Sequence, residues 1–182
     1  MKDLSMHIMD IAQNSISAEA NIIEVAITEN TGADCYRIEI SDNGKGMTAD
    51  FVAKVTDPYV TSRTTRKVGL GLPLLKQNAE RSGGRLKIRS EPGNGTVVTA
   101  DFSLKNIDRP PLGDIAGTIV LLAAANLKIR FIYRHITEKG EYRFDTEEVN
   151  EMLEELPISE PGVIRFLKEM IKENLQEINI AG

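Results

Sequence analysis

Apolar and polar positions along this chain recur with two different periods, and the switches between them divide it into elements. Over residues 3–20 the period is helical: Met9, Ala12, Ile16 and Ala20 share one face, while His7, Asp10, Asn14 and Ser17 fall on nearly the opposite one. A solvated helix face ordinarily carries Lys and Glu, whereas this second stripe offers short, directional polar groups. Residues 22–28 are β-branched and alternating, Asn30-Thr31-Gly32 supplies a turn, and residues 36–41 alternate again, so the pair is predicted as a hairpin. Thr48 is placed to cap a short helix through Val55. Residues 56–68 are irregular. Gly69-Leu70-Gly71-Leu72 then opens a helix with Pro73 in its first turn, predicted to run to about Ser82 and stop at Gly83-Gly84. Strands are predicted at 85–90 and 96–104, joined by the turn-rich Glu91-Pro92-Gly93-Asn94-Gly95.

Residues 106–111 look like a boundary, dividing the chain into a first domain, 1–105, and a small α/β extension, 106–182. The pattern beyond it predicts a helix at 114–125, strands at 128–136 and 141–144, an acidic helix at 146–156 and a last helix at 161–178. Charge follows the same division. Residues 1–105 hold 13 Lys+Arg against 13 Asp+Glu, and 106–182 hold 9 against 14, so the whole net charge of −5 lies in the extension. Such a chain has no general field for a polyanion. With no Trp and 5% aromatics it also lacks the stacking surface of a single-strand nucleic-acid binder. Cys35 is the only cysteine, which excludes an intrachain disulfide and a thiolate zinc cluster. The longest apolar run, residues 115–125, is too short for a membrane span, and a cytoplasmic location is expected.

Candidate chemistry concentrates in the first domain. The strand at 36–41 runs into Asp42-Asn43-Gly44-Lys45-Gly46-Met47, an acid beside two glycines; a carboxylate held there can accept from an exocyclic amine, and glycine lets backbone approach closely. Gly69 and Gly71 precede a helix start, whose free N–H groups make a phosphate cradle, with Arg63, Arg66 and Lys67 just upstream to add charge. Asp10 and Asn14 stack one turn apart. The Asn14 carbonyl is a hard oxygen ligand suited to Mg²⁺, and Asp10 could orient or deprotonate a nucleophile near a terminal phosphate. Against each stands a plainer reading: a loop-to-helix turn, a tight turn, a polar face meeting solvent. Gly44-Lys45-Gly46-Met47-Thr48-Ala49 also fits a dinucleotide fingerprint, but the second strand ending in an acid that it requires would fall in the irregular 56–68 segment. No P-loop is present and no Ser/His/Asp set is signalled. His135 reads as structural, and the acidic run Glu147, Glu148, Glu151, Glu154 and Glu155 reads as a solvated helix face, with a docking face as the alternative.

The order of these motifs is specific. Asn14, then Asp42 to Gly46, then Gly69 to Leu72, then Gly93-Asn94-Gly95-Thr96 resembles the GHKL superfamily of ATPases, which includes gyrase, the heat-shock chaperone, histidine kinases and MutL. Gln13-Asn14-Ser15 with Ala18-Glu19-Ala20 is similar to the MutL-type N-box. Asp57-Pro58-Tyr59-Val60-Thr61-Ser62-Arg63 resembles the histidine-kinase F-box. The run from Gly69 to Thr96 is similar to the kinases' G2 region almost throughout. The resemblance covers residues 4–104. It implies a two-layer α/β sandwich of the Bergerat type, with a mixed sheet and helices on one face. It further implies ATP and Mg²⁺ as cofactors, Asn14 as metal ligand, Asp42 as acceptor for the adenine amine, and Gly44, Gly46 and Met47 shaping the adenine pocket. Arg63, Lys67, Gly69, Leu70, Gly71 and Leu72 would serve the phosphates and lid, and Thr96 would touch adenine directly or through water. Three positions depart from the pattern: Lys67 where kinases usually have a further glycine, Ser17 where they have a basic residue, and Asp10 where hydrolytic members and anti-sigma serine kinases have Glu and histidine kinases have Asn. The implied function is stand-alone, kinase-like phosphoryl transfer to a partner protein in signalling, since no helical phosphoacceptor domain precedes the site. An ATP-hydrolysing switch and a non-catalytic nucleotide sensor are the alternatives. The expected partner is an unidentified protein, with a homodimer as a further option, and neither nucleic acid nor membrane.

Overall fold

The computed structural model describes residues 3–57, 59 and 71–182. In chain order the elements are α1 (Leu4–Ser17), β1 (Ile22–Asn30), β2 (Cys35–Asp42), α2 (Ala49–Lys54), α3 (Gly71–Arg81), β3 (Arg85–Ser90), β4 (Thr96–Ser103), α4 (Ile115–Ala125), β5 (Arg130–Thr137), β6 (Gly140–Asp145), α5 (Thr146–Leu153) and α6 (Pro161–Glu177). Local chemistry sets their starts. Asp3, Thr48, Asp114, Asp145 and Glu160 each accept from a backbone N–H of the first turn they precede, and Pro161 opens α6.

All six strands form one mixed sheet in the order β3-β4-β2-β1-β5-β6. Every neighbouring pair is antiparallel except β1 and β5, which run parallel. A parallel pair needs a long crossover, and everything from β2 to α4 lies within this one. Residues 106–182 thus continue the sheet beyond β1. One face of the sheet is covered: Ile23, Val25 and Ile27 of β1, Tyr36, Ile38 and Ile40 of β2, Val98, Ala100 and Phe102 of β4, and Phe131 and Tyr133 of β5 are buried in a single core. Over that face the helices neighbour one another in the order α3, α1, α4, α6. The result is the two-layer α/β sandwich with helices on one face. The other face carries ion pairs such as Arg37–Asp101 at 2.6 Å and Arg134–Glu141 at 2.8 Å.

The buried face of α1 is turned relative to the stripe that its periodicity predicts. Leu4, Ile8, Ile11, Ala12 and Ser15 are buried, whereas Met9 and Ile16 are only partly covered. His7, assigned to the polar stripe, is also buried, with Nε2 2.8 Å from the Asn78 amide on α3. The cause is position: α1 has the sheet beneath it, α3 on one flank and α4 on the other, so more than one stripe is covered. His135 is buried and structural; its Nδ1 meets the Tyr133 hydroxyl at 2.6 Å and its Nε2 the Glu29 carboxylate at 2.5 Å. That carboxylate also accepts from the Ala181 N–H, which ties the C-terminal residues to β1.

Candidate functional site

A cavity of about 350 Å³ opens between α1, the β2–α2 loop, the start of α3 and the first residues of β4. Its walls are mostly apolar, with Ile11, Ile40, Met47, Phe51, Leu72 and Val98 providing flat or flexible side chains. A few polar groups converge among them: Asn14, Ser15, Asp42, Lys45 and Thr96. An apolar slot with few oriented polar groups is the usual form of a small-molecule site.

Strand register builds its polar end. Asp42 is the last residue of β2 and pairs with Thr96, the first of β4, so both point to the covered face side by side. The Asp42 carboxylate is fixed from two directions: the Ser15 hydroxyl donates to Oδ2 at 2.6 Å and the Gly44 N–H to Oδ1 at 2.8 Å. A carboxylate accepts only, and two donors do not exhaust its lone pairs, so Asp42 offers a charged acceptor to the cavity. Asn14, next to Ser15 on the same helix, also lines the cavity. Its amide Nδ2 is buried and has no hydrogen-bond partner among the described residues. An unpaired buried amide is costly, and this N–H donor would be satisfied by an acceptor oxygen of a ligand in the cavity that Asn14 lines.

Gly46 takes φ +71°, and a Cβ there would overlap the Glu91 carbonyl. Its requirement for glycine thus comes from backbone packing against the β3–β4 turn, and it still lines the cavity. Gly44 is buried behind the wall, where a Cβ would come within 2.7 Å of the Ala18 carbonyl. Asp10 lies outside the cavity wall but close to the helix start that the sequence assigns to phosphates. Its carboxylate occupies the space that a Cβ on Gly71 would need. Burial raises the Asp10 carboxyl above its ordinary value, and burial likewise lowers His7, to about 4, so that its ring is neutral.

Of the residues singled out from sequence, the structure gathers Asn14, Asp42, Gly46, Met47, Leu72 and Thr96 around one cavity. It sets Gly44 behind that wall and places Asp10 against Gly71. Arg63, Lys67, Gly69 and Leu70 lie outside the described residues. Two residues that hold the cavity lining in place carry no signal of that role in the sequence. Ser15 holds Asp42. Ser90 takes the Met47 N–H at 2.8 Å and touches Thr96 Oγ1 at 2.8 Å. Both stand inside the family-like motifs, but only tertiary register shows what their hydroxyls hold.

Among the described residues no helix is long and apolar enough to cross a membrane. The chain is similar to sensor histidine kinase ZraS of Escherichia coli, 26% identical over 110 residues covering 60% of this chain and 23% of the relative. It is also similar to sensor protein kinase FleS of Pseudomonas aeruginosa, 35% identical over 108 residues covering 59% of this chain and 26% of the relative. It thus spans about a quarter of the length of these two proteins. Among solved structures, the MutL ATPase domain of Aquifex aeolicus complexed with ADP superposes with a TM-score of 0.51 at 19% identity, over 84% of this chain and 69% of that one, a likeness of fold. A family model described as "Histidine kinase-, DNA gyrase B-, and HSP90-like ATPase" matches residues 2–106. The matched segment holds Asn14, Asp42 and Thr96 around the cavity, and on that match the chain belongs to the histidine kinase-, gyrase B- and HSP90-like ATPase family, carrying its ATP-binding domain.

Proposed function

We propose that this chain binds Mg-ATP in the Asp42–Asn14 cavity and transfers the γ-phosphoryl group to a hydroxyl on a partner protein. The observation that carries the reading is a fixed carboxylate acceptor, Asp42, and an uncommitted N–H donor, Asn14 Nδ2, lining one apolar slot. The acceptor suits the adenine amine and the apolar walls its ring. The neighbour complexed with ADP and the sensor kinases among the relatives support an adenine nucleotide and a signalling role.

The donor set fits magnesium carried by a nucleotide. No group of three or more His, Cys, Asp or Glu that could hold a metal occurs among the described residues. A cation held by the Asn14 carbonyl would therefore take its remaining ligands from phosphates and water, as Mg²⁺ prefers. When bound, the ion neutralises phosphate charge during transfer.

Asp10 favours a hydroxyl over a histidine as acceptor. A histidine acceptor attacks through a neutral ring nitrogen and has no proton to lose first. A hydroxyl must be deprotonated, and a carboxylate raised above its ordinary value by burial holds that proton better. The position of Asp10 against Gly71, at the start of α3, supports a base near the terminal phosphate. The same group would also activate water, so ATP hydrolysis driving a conformational switch is the second reading, favoured by the likeness to the MutL ATPase domain.

Incubation with γ-labelled ATP and Mg²⁺, alone and with proteins of the source cell, separates them. Acid-stable label on protein supports transfer to a hydroxyl. Acid-labile label indicates a histidine acceptor, free phosphate alone indicates hydrolysis, and binding without turnover indicates a sensor.

A further inference from the structure

Ser90 closes β3 and pairs across the ladder with Thr96, behind the cavity wall. Its Oγ has three neighbours at hydrogen-bond distance: the Met47 N–H at 2.8 Å, the Gly95 carbonyl at 2.9 Å and Thr96 Oγ1 at 2.8 Å. A serine hydroxyl has one proton and two lone pairs. Met47 N–H can only donate and the Gly95 carbonyl can only accept. All three contacts are satisfied together in one way: Ser90 gives its proton to Gly95 and accepts from both Met47 and Thr96. Thr96 then has its only proton turned back toward Ser90, and it faces the cavity with lone pairs. Asp42, its cross-strand neighbour, is an acceptor as well. The Asp42–Thr96 edge of the cavity therefore presents two side-chain acceptors side by side.

We propose that Ser90 is a positioning residue that sets nucleobase choice: by holding the Thr96 proton, it makes this wall match an amino group, or a water donating both protons, at position 6 of a purine and reject a carbonyl there. The inference rests on the Mg-ATP reading and deepens it. If Ser90 is removed, the Thr96 hydroxyl can rotate and donate into the cavity, so a 6-oxo purine finds a partner it lacked. A loosened loop, in contrast, would weaken every nucleotide alike.

The test measures Mg²⁺-dependent affinities of the full chain for ATP, inosine triphosphate and purine riboside triphosphate, the last bearing only hydrogen at position 6. The variants are Ser90→Ala, Ser90→Thr, Thr96→Val and the double variant Ser90→Ala/Thr96→Val. Wild type should prefer ATP to inosine triphosphate, and Ser90→Ala should lower that ratio about tenfold, as expected for one buried hydrogen bond changing sense. Ser90→Thr, which keeps the hydroxyl, should retain the ratio. On the Thr96→Val background Ser90→Ala should no longer change it, because the two act as a unit. Should the alanine variant not fold, Ser90→Cys, close in volume and a poorer acceptor, is judged on the same ratio. An unmoved ratio, equal loss for all three nucleotides, or an undiminished effect on the Thr96→Val background would each overturn the proposal. Wild type binding none of the three would overturn the nucleotide reading itself, and this proposal with it.

Discussion

Asp42→Asn is nearly isosteric, which makes it a sharp probe of the site. The Gly44 N–H, 2.8 Å from Oδ1, needs an acceptor, so the asparagine carbonyl takes that position and the NH₂ falls where Oδ2 was. There it meets the Ser15 hydroxyl at 2.6 Å. Ser15 can reverse and accept, turning its proton to the Ile11 carbonyl at 3.5 Å, so the fold loses roughly 1 kcal/mol or less. The ligand loses far more. A charged acceptor becomes a donor facing an amine, which forfeits a charge-assisted bond and leaves two donors opposed. Together these amount to about 3 kcal/mol, or on the order of a hundredfold in Kd. Calorimetric titration with Mg-ATP measures the affinity, and a thermal melt of the same samples confirms that the variant is folded. If folded Asp42→Asn bound ATP within about threefold of wild type, the assignment of Asp42 to the base would be wrong.

Asp10→Asn keeps volume but removes the base; ATP affinity should stay near the wild-type value while turnover drops by about 10²-fold or more, in single-turnover kinetics at saturating ATP. Turnover equal to wild type would remove Asp10 from the chemistry. Gly46→Ala forces a Cβ into the Glu91 carbonyl at φ +71° and should cost about 3 kcal/mol in urea denaturation, with an unchanged midpoint as the contrary result. His7 has a folded pKa lowered to about 4 from 6.5, so below pH 6.5 the unfolded chain takes up a proton that the native state refuses. Stability should therefore fall as pH drops from 6.5 toward 4, by roughly 2–3 kcal/mol, and level off below. His7→Gln should flatten that slope; an identical slope would assign it to other groups.

Much of this was legible from the residues. Alternation and turn chemistry locate β1 to β6 because a one-sided sheet makes period-two burial explicit: Ile23, Val25 and Ile27 against Glu24, Ala26 and Thr28. Thr48 marks the start of α2, and Pro73 and Gly83-Gly84 bound α3, whereas periodicity locates α1 and the C-terminal helices. The rotation of α1 was not legible, since a helix covered on three sides has apolar residues in more than one stripe, and His7 enters the core by finding Asn78, 71 positions away. The site was read through residues whose type is its own signal, Asp42 beside glycine and Asn14 a turn from Asp10. Ser15 and Ser90 were not, because a hydroxyl suits many places and its role here is set by register: Asp42 opposite Thr96, and Thr96 opposite Ser90.

The family match ends at residue 106, yet the helix that carries Asp10, Asn14 and Ser15 is held by residues C-terminal to that point. The Leu4 and Ser5 N–H groups donate to the Pro111 and Leu112 carbonyls at 2.9 Å, and the Ser5 hydroxyl also reaches Leu112 at 2.5 Å. Ile115 and Ile119 of α4 belong to the same core as Ile8 and Ile11, and β5 covers the edge of β1. The Arg109 guanidinium lies 4.7 Å from the centre of the Tyr36 ring. Removing residues 106–182 would uncover β1 and several large core side chains, each worth about 1.5–3 kcal/mol when fully buried, against a whole-domain stability of about 5–15 kcal/mol. A fragment of residues 1–105 should therefore show no cooperative melt and no measurable ATP affinity, although it contains Asp10, Asn14, Asp42, Ser90 and Thr96. Refolding of that fragment with full-chain affinity would show that the site stands without its C-terminal support.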